Sequence, residues 1–142
     1  MRAYEKVLLL VSFLTVLEVA WSTGERREVM NPGSPSNVSK NDQELGKALL
    51  VATYSFNNQS NDAYLFKTSE VDKAQRQIVK GIRYILEVRI SRTVCLKRQG
   101  RDLLDCDLQP EGLLHQTFQC HFEVLSLPWL HLMTTISSHC QD

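Results

Sequence analysis

Residue types that could do chemistry are present in this chain, but their spacing does not assemble a catalytic site. Four histidines lie scattered towards the C-terminal end: His115, His121, His131 and His139. No serine, cysteine or aspartate stands near one of them in a pattern typical of nucleophilic catalysis. Three aspartates cluster without the glycine and distal glutamate of a calcium loop: Asp102, Asp105 and Asp107. The sequence therefore predicts a protein that is not an enzyme and holds no metal or cofactor.

The cysteines favour disulfides over reactive or metal-binding thiols. All four lie in the last third of the chain: Cys95, Cys106, Cys120 and Cys140. An even number in a secreted chain predicts disulfides, and four cysteines can pair in three ways. Closing the shortest loops would join Cys95–Cys106 and Cys120–Cys140. No two cysteines have the close spacing of a zinc-ligand pair.

The N-terminal segment indicates secretion. Arg2 and Lys6 belong to a short charged start, and an apolar run follows over residues 7–17. Residues 20–22 then offer small side chains at the two positions that a signal peptidase reads. Because the apolar run is too short to span a bilayer comfortably, an uncleaved anchor is the less favoured alternative. We interpret residues 1–22 as a signal peptide of a secreted protein, with an endolysosomal location as the alternative.

The charge balance gives no reason to expect a nucleic-acid partner. Lysine plus arginine and aspartate plus glutamate both number 16, and no long basic cluster is present.

Residues 23–40 are charged and then rich in proline, serine and asparagine, which predicts a flexible N-terminal arm. Residues 41–142 are of a length suited to one globular domain without a membrane segment.

A helix and a set of strands are predicted within that domain. Asn41 is expected to cap the helix with Glu44 reaching back, and Asn57 is expected to help end it. The apolar positions recur at helical spacing: Leu45, Ala48, Leu49, Ala52 and Phe56. Residues 64–76 are rich in Tyr, Phe, Thr and Val but alternate poorly, which predicts a bent or bulged strand. Regular alternation of apolar residues after Gly81 predicts a second long strand. The expected fold class is α+β, with one helix packed on an antiparallel sheet of about four to five strands.

The turn between the first two long strands has an unusual composition: Gln77, Ile78, Val79, Lys80 and Gly81. Gly81 supplies the permissive backbone that a tight reversal needs. Ile78 and Val79, however, are apolar and β-branched where a hairpin turn usually carries Asn, Asp or Gly. Either they fold back on the core, or they are exposed for a binding partner.

This pentapeptide resembles the Gln-x-Val-x-Gly loop of the type 2 cystatins, which are secreted inhibitors of papain-like cysteine proteases. The pair Pro128-Trp129, between the third and fourth cysteines, is similar to the Pro-Trp pair of the family's second hairpin. Gly33 precedes Gln77 by the interval usual in the family. The resemblance covers about residues 33–142. It implies a curved sheet wrapped around one helix, with each cysteine paired to its neighbour in sequence.

The resemblance also implies an inhibitory edge made of three segments: the arm at Gly33, the loop Gln77–Gly81 and the pair Pro128-Trp129. This edge would enter the cleft of a cathepsin-like protease reversibly, with Val79 and Trp129 as apolar anchors. Without the resemblance, Trp129 would be interpreted as a core residue and Gly33 as an ordinary linker glycine.

Two further sites follow from short motifs. Ser60, Asn61 and Asp62 resemble the loop with which some cystatins block legumain, with Asn61 offered to that protease. The alternative is that Asn-Asp is simply a good turn former. Asn37 and Asn58 begin Asn-x-Ser sequons, and both are predicted glycosylation sites. A glycan on Asn58 would stand close to Asn61.

Two alternatives concern assembly and function. The chain is expected to be a monomer, but the apolar hairpin tip could favour a domain-swapped dimer, which would consume the first hairpin. The rival function is a secreted binding or signalling module that keeps the cystatin fold without inhibition. Such relatives tend to lose the Gln-x-Val-x-Gly loop, which is whole in this chain.

Overall fold

The structure, a computed structural model, describes residues 33–142. The predicted signal peptide, residues 1–22, and most of the predicted arm, residues 23–40, lie outside the described residues. The described part has these elements: β1 (Ser36–Asn37), α1 (Gln43–Gln59), β2 (Tyr64–Val79), β3 (Gly81–Leu96), β4 (Thr117–Leu127) and β5 (Leu132–Gln141). Within residues 33–142, no helix is long and apolar enough to cross a membrane.

The five strands form one antiparallel sheet in the order β1-β2-β3-β4-β5. The helix α1 packs on one face of this sheet, which confirms the predicted α+β class. The end of the predicted arm joins the sheet, because Ser36 pairs with Arg76 and Asn37 with Gln75. This short pairing adds the fifth strand.

The core lies between α1 and the inner face of the sheet. Its buried residues come from both layers: Leu45, Ala48, Ala52, Phe66, Ala74, Tyr84, Leu86, Val88, Ile90, Cys120, Phe122 and Val124. The alternation predicted for the second long strand is therefore confirmed, with one face on the core and the other towards water. Each large apolar side chain buried in this way contributes about 1.5–3 kcal/mol.

The helix begins one residue later than predicted. Asp42, and not Asn41, is the N-cap, and its Oδ1 accepts a hydrogen bond from the backbone N–H of Leu45 at 3.0 Å. Both residues are good caps, and Asp42 has the extended backbone that lets its carboxylate reach the first turn.

The helix also ends later than predicted, because Asn57 does not terminate it. The side chain of Asn57 is buried and donates to the carbonyl oxygen of Phe66 at 2.9 Å. It also accepts from the N–H of Phe66 at 2.8 Å. The amide therefore ties α1 to β2, and the helix continues to Gln59 before Ser60 caps it.

The long strand β2 is bent, as the sequence predicted. Its pairing with β3 shifts register at three places along its first half, and such bulges increase local twist and curvature. The regular part of β2 then extends to Val79, beyond the predicted end of this strand at Arg76.

Both disulfides predicted from the cysteine pattern are present. Cys95–Cys106 holds the segment between β3 and β4, and Cys120–Cys140 joins β4 to β5. Leu103 is buried within the first of these loops. The segment between β3 and β4 is therefore a tethered surface excursion.

Candidate functional site

Antiparallel pairing brings the two hairpin turns to one end of the sheet, here called the hairpin end. Ile78 pairs with Ile82 across β2 and β3, and Ile82 pairs with Ser126 of β4. Ser126 in turn pairs with Met133 of β5. The turns that follow Ile78 and Ser126 therefore leave the sheet side by side.

The first turn exposes its apolar side chains. Val79 pairs with Gly81 and leaves Lys80 at the tip. Ile78 is 66% exposed and Val79 43% exposed, so neither is folded back on the core. Because these β-branched side chains are exposed, they contribute little to the stability of the fold. Exposed apolar side chains grouped at a turn are typical of a contact surface.

Gly81 allows the first hairpin to lie against the second. Its φ is +130°, which L side chains rarely adopt. A Cβ atom there would lie 2.7 Å from the carbonyl oxygen of Ser126 and 2.8 Å from the side chain of Leu127. The glycine is therefore needed for close approach as well as for the turn.

The second turn presents Trp129 to solvent. Residues Pro128–Leu130 form a 3₁₀ turn between β4 and β5, and Trp129 is 63% exposed. Proline at the first position of this turn fixes φ where no N–H is needed. The interpretation of Trp129 as a core residue is therefore wrong.

The arm reaches the hairpin end at Gly33. The side-chain Nε2 of Gln77 donates a hydrogen bond of 2.7 Å to the carbonyl oxygen of Gly33. Gly33 has a φ of +92°, and a Cβ there would lie 3.9 Å from the carbonyl oxygen of Ile78. Because its φ is positive, a side chain at this position would strain the backbone. The structure thus brings together Gly33, the first turn and the second turn.

A charged cluster on the outer face of the sheet was not anticipated from the sequence. Arg83 Nη2 donates to Glu123 Oε1 at 2.6 Å, and Glu123 also lies 3.5 Å from Nε2 of His121. His121 Nδ1 makes a short contact with Glu87. Only the strand register could have suggested the contacts between strands, since Arg83 and Glu87 lie on β3 whereas His121 and Glu123 lie on β4.

The cluster shifts two pKa values in opposite directions. The hydrogen bond with Glu87 is the main reason why the pKa of His121 is raised above its ordinary value. Partial burial alone would raise the pKa of Glu123, but hydrogen bonds from Arg83 and His121 outweigh it and lower that pKa. The contacts in the cluster therefore stabilise the imidazolium form of His121 and the carboxylate form of Glu123.

The segment Ser60–Asp62 lies at the other end of the sheet, before β2 begins. Asp62 accepts from Arg92 Nη2 at 2.6 Å and from the N–H of Tyr64 at 2.9 Å. Partial burial would raise the pKa of Asp62, but these hydrogen bonds outweigh it, so that pKa is lowered. Asn61, between two anchored neighbours, is exposed. The structure therefore does not bring Asn61 together with the hairpin end.

The hairpin end offers an exposed surface for contact with another protein. Among residues 33–142, no three His, Cys, Asp or Glu side chains are grouped to hold a metal ion. All four cysteines lie in this part of the chain and are joined in disulfides. This arrangement is suited to binding another protein through exposed apolar side chains on a rigid backbone.

Comparison with known proteins identifies the family. The cystatin domain matches residues 33–129. Cystatin-F of Mus musculus is 41% identical over 112 residues, covering 79% of this chain and 78% of that protein. Cystatin-F of Homo sapiens is 45% identical over 101 residues, covering 71% of this chain and 70% of that protein.

A solved structure supports the same assignment. The crystal structure of dimeric human cystatin F superposes with a TM-score of 0.74 at 38% identity, covering 84% of this chain and 95% of that chain. The resemblance to cystatin F is also visible in the sequence, in Asn57-Asn58, Asn61-Asp62, Leu65–Lys67 and Gln77–Gly81. This chain belongs to the cystatin family.

Proposed function

We propose that this protein is a secreted, reversible, tight-binding inhibitor of papain-like cysteine proteases such as the cathepsins. The observation that carries the proposal is the exposure of Val79 and Trp129 on two adjacent turns, beside Gly33. Together the three segments would fill the active-site cleft and exclude substrate. The proposed inhibition rests on shape and apolar burial, with no covalent step.

Apolar burial and preorganisation would supply the affinity. An exposed tryptophan is large and rigid and loses little conformational entropy on docking. The backbone under both turns is held by strand pairing, so little ordering remains to be done on binding. Gly33 would let the arm run through the cleft in a geometry unsuited to cleavage.

Cleft blocking can be tested apart from inhibition. Papain saturated with a peptide aldehyde that occupies its active site should fail to form a complex with this protein in size-exclusion chromatography. Free papain should form a one-to-one complex. Equal binding to both forms of papain would mean that the protein attaches elsewhere on the protease.

A second inhibitory site against legumain is proposed at Ser60, Asn61 and Asp62. The supporting observation is that Asn61 is exposed while Asp62 is fixed by Arg92 at 2.6 Å. Such a site would lie far from the hairpin end, so both activities could coexist. Replacing Asn61 by alanine should abolish legumain inhibition and leave papain inhibition intact. Legumain inhibition that persists in this variant would contradict the assignment.

Secretion and glycosylation form part of the proposal. Asn37 and Asn58 are both exposed, which a glycosylated asparagine requires. Mass spectrometry of the protein released by mammalian cells, before and after glycosidase treatment, tests both sites and the cleavage after residue 22. An endolysosomal location is the alternative.

A monomer is proposed as the inhibitory form. The four cysteines of the chain are consumed by its two internal disulfides, which leaves none for a disulfide between chains. A domain-swapped dimer would open the first hairpin and could not inhibit through it. The rival, a binding module without inhibition, is disfavoured by the intact Gln77–Gly81 loop.

A further inference from the structure

A chain of hydrogen bonds crosses the outer face of the sheet and ends on the arm. It begins at Glu123 on β4, which accepts from Arg83 on β3 at 2.6 Å. Arg83 Nη1 then donates to Oε1 of Gln77 on β2 at 3.4 Å. Gln77 Nε2 completes the chain by donating to the carbonyl oxygen of Gly33 at 2.7 Å.

The contacts on both sides of Gln77 favour the same orientation of its amide. A glutamine amide has an acceptor oxygen on one side and donor hydrogens on the other. Arginine can only donate, so it selects the orientation in which Oε1 faces Arg83 and Nε2 faces Gly33. The opposite orientation would set two donors against each other at Arg83 and two acceptors against each other at Gly33.

Arg83 is itself held in place. Its side chain is 33% exposed and that of Glu123 is 18% exposed, so the pair is largely shielded from water. Charge-assisted hydrogen bonds of this kind are shorter and stronger than neutral ones. His121, at 3.5 Å, further fixes the Glu123 carboxylate.

We infer that Arg83 and Glu123 are positioning residues for the N-terminal arm. They orient the amide of Gln77, which holds the Gly33 carbonyl and keeps Gly33 beside the first hairpin before a protease arrives. A residue that is already in position loses less freedom on binding. This inference rests on the proposed function, in which the arm enters the cleft.

A double-mutant cycle on papain inhibition tests the coupling. Arg83→Met removes the donor and keeps the length of the side chain. In the full-length protein it should weaken inhibition about fivefold, the effect of one modest hydrogen bond. In a variant lacking residues 23–33 it should have no further effect. Equal weakening in both backgrounds, or none in the full-length protein, would overturn the inference.

The matched control is Arg89→Met. Arg89 lies on the same strand and forms ion pairs with Glu70 and Asp72, each at 3.1 Å, without contacting Gln77. Its replacement removes a comparable charge and should leave inhibition unchanged in both backgrounds. A loss equal to that of Arg83→Met would show that surface charge, and not positioning, is responsible.

Hydrogen exchange in the free protein tests the same inference without a protease. The backbone amides of Ser34 and of residues 36–38 should exchange about fivefold faster in Arg83→Met than in wild type or Arg89→Met. Gln77→Glu, which keeps an acceptor for Arg83 but cannot donate to Gly33, should have the same effect. Unchanged exchange in both variants would overturn the positioning role. A wild type that fails to inhibit papain would defeat only the proposed function.

Discussion

Gly81 faces the carbonyl oxygen of Ser126 so closely that a Cβ on Gly81 would lie 2.7 Å from it. This relationship joins the two hairpins, because Gly81 begins β3 and Ser126 lies just before the second turn. The distance between the two proposed binding turns therefore depends on the absence of one side chain.

Gly81→Ala should disturb the hairpin end as a whole. The new methyl group would push β3 away from β4, and the alanine would have to adopt an unfavourable positive φ. Together these effects should cost about 1–3 kcal/mol of stability. Inhibition of papain should weaken by more than about tenfold, because both turns would move. Inhibition constants and chemical unfolding measure the two effects.

Gly112→Ala is the control for Gly81→Ala. Gly112 also has a positive φ, +149°, but nothing lies within 4 Å of its would-be Cβ. Gly112→Ala should therefore strain the backbone as Gly81→Ala does, but it should leave the inhibition of papain unchanged. Equal losses of inhibition in the two variants would argue against the close approach at Ser126.

Trp129→Ala should reduce inhibition without reducing stability. The side chain is 63% exposed, so the fold gains little from it, whereas a buried interface tryptophan is often worth more than about tenfold in affinity. Leu104→Ala is the matched control, since Leu104 is 69% exposed in the segment between β3 and β4. Unchanged inhibition in Trp129→Ala would remove the second turn from the binding surface.

Asn57→Ala should be the most destabilising of these substitutions. It leaves the buried N–H and C=O of Phe66 without partners, which costs about 1–3 kcal/mol for each group. Asn58→Ala, at the exposed neighbour, should change the free energy of unfolding by less than about 0.5 kcal/mol. Urea unfolding of protein produced without glycans compares the two directly. Similar values would mean that Asn57 does not tie the helix to the sheet.

Stability should depend on pH through His121. The pKa of His121 is raised in the folded state, chiefly by Glu87. The histidine therefore stabilises the fold fully below its unfolded pKa of about 6.5, and that contribution is lost as pH rises through the folded value. Two further groups lie beside His121: Glu123 on the same strand, and His139, which pairs with His121 from the neighbouring strand β5.

The measurement is the difference in free energy of unfolding between wild type and His121→Gln, across a pH series. This difference should be larger at acidic than at alkaline pH. A difference that grows with increasing pH would contradict a raised pKa of His121 in the folded state.

The fold was predictable from the periodicity of apolar residues, because that periodicity matches the buried faces of the helix and the strands. The alternation in β3 and the helical spacing of Leu45, Ala48 and Ala52 directly reflect which faces are buried. The helix boundaries were less accurate. Asn57 looks like a helix terminator, and only its hydrogen bonds with Phe66 explain why the helix continues.

The site was predicted in part. The apolar composition of the first turn left open whether Ile78 and Val79 are buried or exposed, and the structure exposes both. The roles of Trp129 and Gly33 came from the resemblance to cystatins and stay predictions. The charged cluster could not be predicted, because Arg83 and Glu123 meet only through strand register. The same applies to the close approach of Gly81, which depends on the path of β4.

The most direct test of protease inhibition is a titration of papain activity with the protein secreted by mammalian cells that express the full chain. We expect a linear, stoichiometric loss of activity at nanomolar enzyme, with an end point at one inhibitor per active site. Full papain activity in the presence of an excess of folded, monomeric protein would contradict inhibition through the hairpin end. The non-inhibitory binding module would then be the better description.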